Sequence, residues 1–134
     1  MKLSLMRNLM LLDAAVLLLL GLLLIFVPAK VEAAFRFKDL PAGVDYILGL
    51  WGCVLVTLGL GYTVAASNPL RHRVWAQMAI ARGLLECLLG AVFLARGVVT
   101  FQQAGVGIIV AGLVTIAYVA CYPRPVARQA PQPG

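Results

Sequence analysis

Four apolar runs divide the chain, each close to the about 20 residues needed to cross a bilayer's hydrocarbon core. The first, LMLLDAAVLLLLGLLLIFV, covers Leu9 to Val27 and stops at Pro28. The second covers Val44 to Ala66 and ends before the turn signal Ser67-Asn68-Pro69, where Ser67 and Asn68 cap the next segment. The third covers Val74 to Ala95, and the fourth covers Phe101 to Tyr122 and closes on YPRP. This pattern predicts an all-α integral membrane bundle of four transmembrane helices, one domain over residues 1–123. Residues 124–134, RPVARQAPQPG, form a short polar, proline-rich tail with the composition of a disordered segment.

The connection PAKVEAAFRFKDLPAG, residues 28–43, is the only one with room for structure of its own. VEAAFRFKDL has two readings. It forms a short interfacial helix that dips Val31, Phe35 and Phe37 or Leu40 into the headgroups, or it is a loop whose aromatics merely touch lipid.

Composition makes the membrane reading firm. Of 134 residues, 63% are hydrophobic and 12% charged, against about 25% charged in soluble domains. A small domain cannot hide that much apolar surface from water. The net charge of +6 does not point to nucleic acid, because Arg71, Arg73, Arg124 and Arg128 lie just beyond apolar runs. Basic residues there set topology and form a rim for anionic lipid. Four spans put both termini on one side, with Lys2, Arg7, Arg71, Arg73, Arg124 and Arg128. Lys30, Arg36, Lys38 and Arg96 fall on the other. Six basic residues against four favour cytoplasmic termini, and a bacterial inner membrane fits. A cleaved signal peptide competes for the first run, although that core is long for one and Asp13 interrupts it.

The chemistry on offer is sparse. Cys53, Cys87 and Cys121 are scattered through apolar segments without a CxxC, and the lone His72 stands between Arg71 and Arg73. No metal or haem constellation, nucleophile–His–acid set, phosphate loop or HExxH is present. The expectation is a non-enzyme with no cofactor.

The exception is AQMAIARGLLECLLGAVFLA, residues 76–95, which carries Arg82 and Glu86 one helical turn apart inside the third run. An unpaired charge at mid-bilayer costs at least about 2.5 kcal/mol, so a partner or water is required. Asp13 lies about 6 Å into the first run from the same side, and Arg82, about 12 Å into the third, can reach back towards it. Ala79, Arg82, Gly83, Glu86, Gly90, Phe93 and Gly97 share one stripe whose small members invite close helix contact. The expected arrangement turns this stripe inward and gathers Asp13, Arg82 and Glu86 into one buried polar network. That network has three uses: fixing which helices pack, docking on another membrane subunit, or lining a cavity for a small or headgroup-like ligand. If Arg82 and Glu86 pair, Arg82→Leu harms folding more than Arg82→Leu with Glu86→Leu. In the fourth run Gly107 and Ala111 have small-xxx-small spacing, a packing surface like Gly83 and Gly90.

GLGYTVAASNPLRHR, residues 59–73, and ARGLLECLLGAVFLARG, residues 81–97, resemble the small four-helix membrane proteins of the broad DoxX-like type, over about half the chain. In these a span ends in an Asn-Pro-basic turn and an arginine precedes a glycine-containing helix. The resemblance implies a four-helix bundle accessory to a membrane redox or transport system. It carries over no metal or nucleophile motif and no role for Glu86. The expected function is thus a non-catalytic accessory or assembly subunit packing against other membrane subunits or itself. The alternative is a small-molecule or lipid carrier or channel, working as a homo-oligomer, with its polar site at Arg82 and Glu86.

Overall fold

The computed structural model describes residues 2–37, 41 and 43–122, and every regular element among them is helical. These are α1 (Lys2–Phe26), α2 (Pro28–Ala34), α3 (Gly43–Ser67), α4 (Arg73–Ala95) and α5 (Phe101–Cys121). All but the seven-residue α2 are long and apolar enough to cross a membrane. The chain is therefore an all-α bundle of the multi-pass membrane type.

The first helix begins at Lys2, two turns before the apolar run. Ser4, Arg7 and Asn8 face outward there, while Met6 and Met10 are buried. Met6, Met10, Ala14, Leu17, Gly21 and Leu24 continue one buried stripe at helical spacing. The helix is as long as its packing face, and hydropathy alone misses its polar first turns.

The stripe packs against Gly52, Leu55, Gly59 and Tyr62 of α3. The two backbones meet at paired glycines. A Cβ on Gly21 would fall 2.8 Å from the Gly52 carbonyl oxygen, and one on Gly52 would fall 2.7 Å from that of Gly21. Without side chains at the crossing the helices approach until dispersion contacts are made backbone to backbone. The same device joins α4 to α5, where a Cβ on Gly83 would overlap Thr115 Oγ1 and one on Gly90 would meet Ile108. Gly107 departs from expectation, because a Cβ there would point into open space while its small partner Ala111 is buried.

The bundle is thus two close hairpins, α1/α3 and α4/α5, with α5 touching α1 and α4 barely meeting α3. Residues 68–72 join them, and Asn68 Oδ1 accepts the Arg71 amide at 3.2 Å. At this turn end Tyr62, Ala65, Ala66, Ala76, Ala79 and Tyr118 bury one another. Arg71 and Arg73 are exposed there; Arg124 and the tail lie outside the described residues.

The opposite end carries α2. It starts with Pro28 in the first helical position, where the missing amide costs nothing. It spans 28–34, earlier than the 31–40 segment expected, and Leu40 lies outside the described residues. The helix closes through Arg36, whose φ of 60° is the left-handed cap conformation usually filled by glycine. The Phe37 amide then reaches the Glu32 carbonyl at 3.0 Å. So placed, Arg36 Nη1 donates to Gln102 Oε1 at 2.6 Å and ties the α2 segment to the start of α5. A reciprocal Thr100–Gln103 box caps that helix start. Gly97, expected in the packing stripe, is instead the left-handed cap that ends α4, at φ 68°.

Candidate functional site

Asp13 on α1 lies on the buried stripe and is 7% exposed. Arg82 is nine residues into α4, about 14 Å along the helix. Its Nη2 donates to Asp13 Oδ1 at 2.8 Å and to Oδ2 at 3.1 Å. Tyr118 of α5 donates its hydroxyl to Asp13 Oδ2 at 3.3 Å. The Arg82 guanidinium carbon stands 5.6 Å from the centre of the Tyr62 ring on α3, within cation–π range. Trp75 packs edge-on against Tyr62 at 5.1 Å. One ion pair thus draws side chains from all four long helices to one place, where the two hairpins join.

Tyr62 and Tyr118 are among the largest fully buried side chains, and neither was expected in the network from sequence. The available signal was a hydroxyl-bearing aromatic inside an apolar run, which needs a polar partner when buried.

Glu86 takes a different position from the one expected. Its Oε1 is 3.5 Å from Arg82 Nε, but the side chain is 51% exposed, against 22% for Arg82. Arg82 is therefore shared unequally: one nitrogen holds both oxygens of Asp13 at hydrogen-bond distance, and Glu86 receives only a long contact. Arg82 Nε and Nη1 are buried without a hydrogen bond. With all three side chains ionised the group carries one surplus negative charge, and it resides on the more open carboxylate.

Beyond Glu86, towards the α2 end, α4 and α5 flank an open cleft of about 370 Å³. Leu89, Gly90 and Phe93 of α4 and Gly107 and Ile108 of α5 line it, with Glu86 at its inner edge. The open space at Gly107 is part of this cleft. The stripe predicted to face inward does so at Ala79 and Gly83, then swings out through Glu86 and the 38%-exposed Phe93.

No family model, curated protein or solved structure matches the chain. What the site can do must be read from its own groups. Among the described residues no three of His, Cys, Asp and Glu are placed to hold a metal. Cys53 is exposed, Cys87 donates weakly to the Ile108 carbonyl at 3.5 Å, and Cys121 is buried. The arrangement supplies one short ion pair and one carboxylate with spare capacity to accept a proton, a hydrogen bond or a cation.

Proposed function

We propose that the protein is a small non-catalytic membrane carrier for a small molecule or lipid, with its polar site at Arg82 and Glu86. The observation that supports this is the exposure of Glu86. A purely structural charge would be expected to be as closed as Asp13, whereas Glu86 opens beside a cleft in the middle of α4. An ionisable group at that depth is costly unless it faces water, a ligand or another chain. Four helices with so open a face work as a homo-oligomer, a second copy closing the cleft. On this reading all four long helices span, both ends of the chain are cytoplasmic, and the exposed Arg71 and Arg73 meet anionic lipid of a bacterial inner membrane.

The test is native mass spectrometry of protein taken from its own membrane in mild detergent, wild type beside Glu86→Gln. The carrier reading expects an oligomer that retains a lipid or small molecule, and a variant of equal abundance and assembly that loses it. Loss of assembly with the charge would sink this reading and return Glu86 to structure.

An accessory-subunit role, such as the DoxX-like resemblance implies, is favoured by one observation. Leu84, Leu85, Leu88 and Leu89 of α4 are all exposed, a face another subunit could cover. A defined hetero-complex in the same spectra would establish that role in place of the carrier.

A further inference from the structure

A second cavity, of about 470 Å³, lies at the α2 end of the other hairpin, between α2 and the adjoining ends of α1 and α3. Its walls are Leu24 of α1, Val31 of α2, Phe35 and Phe37 beyond it, and Trp51 of α3. Among the described residues, the one charged side chain lining it is Glu32. Volume and lining match a site for a small amphiphile, with apolar walls and a single polar anchor.

Glu32 is poorly served within the chain. Its Oε1 is out of contact with solvent and has no hydrogen-bond partner. The neighbour of the carboxyl is a second acid, Asp45, in the first turn of α3. Loss of water, then the like charge of Asp45 and a hydrogen bond shared with it, push Glu32 above the usual carboxylate range. The described cations nearby in sequence do not relieve it: Arg36 is engaged by Gln102, and Lys30 is exposed on α2; Lys38 lies outside the described residues. Among the described residues, these two neighbouring acids beside an apolar chamber have no cation paired with them. Phe35, Phe37 and Trp51 line the same chamber, and aromatic faces attract cations as well as alkyl chains.

We propose that this cavity binds an amphiphile with an ammonium head, its alkyl chain in the chamber and its head between Glu32 and Asp45. The site is independent of the Arg82/Glu86 reading, since it uses other residues on the other hairpin.

Trp51 lines the chamber and reports on it. The experiment uses full-length Trp75→Phe protein in a neutral maltoside detergent, so that Trp51 is the remaining tryptophan. The probes are 12-bromododecylammonium, 12-bromododecanol and 12-bromododecyl sulfate, whose bromine quenches indole at contact. The expected result is saturable quenching by the ammonium probe at concentrations where the alcohol and sulfate give only the weak, linear quenching of micelle partition. Glu32→Gln with Asp45→Asn should weaken the ammonium probe about tenfold or more. Asp45→Asn alone, a change at an exposed side chain, should weaken it less, and Glu86→Gln should leave it unchanged. Equal quenching by the alcohol, or undiminished ammonium binding in both Asp45→Asn and the double variant, overturns the proposal.

Discussion

Arg82 shows how one side chain can be both latch and lure. Its short contacts go to Asp13, whose burial makes that pair expensive to break: stranding one member of a buried pair costs roughly 3–5 kcal/mol in soluble proteins. Tyr118 adds one neutral donor to the same carboxylate, so Tyr118→Phe should lower the thermal midpoint in detergent by an amount equivalent to about 1 kcal/mol. A midpoint equal to wild type would mean the 3.3 Å contact carries nothing. Gly83→Val forces a methyl into Thr115 and should cost about 1–3 kcal/mol by overpacking. The same change at Gly107, which faces open cleft, should leave the midpoint within about 0.5 kcal/mol. Depth from the same side, with the backward reach of the Arg82 side chain, brought Asp13 and Arg82 together in the sequence. It could not show that Glu86 would be left half exposed. Four residues advance the helix by about 40° beyond a full turn, enough to move Glu86 from the hairpin junction to the margin of a cleft whose width depends on where α5 lies.

At the scale of elements, length and hydropathy revealed the four long helices, and polar ends blurred their limits. Lys2 to Asn8 belong to α1 because Met6 and Met10 are buried, a packing fact that no hydropathy window contains. The glycines were legible as a class but not as roles: Gly52 and Gly83 are crossings, Gly97 is a cap, and Gly107 lines a cavity. Gly52→Val should separate α1 from α3, seen as loss of folded yield. Between α2 and α3 the Glu32 carboxyl holds its proton more tightly folded than unfolded, through loss of water and the nearby Asp45. Its contribution to stability is fully present below the unfolded value and is lost as pH rises through the raised one. The thermal midpoint of wild type should therefore fall with rising pH across that window relative to Glu32→Gln. Parallel curves would show that Glu32 is no more burdened folded than unfolded.

For the whole molecule, two tight hairpins meet at one end through a charged and aromatic junction, and Arg36 straps α2 to α5 at the other. Between these ties α4 keeps a mostly open face with Glu86 in it, the feature on which the proposed carrier role rests. Beneath that role lies a division of labour in which Asp13 is the structural partner of Arg82 and Glu86 is not. Folded yield in mild detergent decides it, compared for Arg82→Leu alone, with Asp13→Leu, and with Glu86→Leu. The expected outcome is a poor yield for the single change, recovery with Asp13→Leu, and little recovery with Glu86→Leu. Recovery with Glu86→Leu and none with Asp13→Leu would contradict it, making Glu86 the charge that Arg82 exists to neutralise.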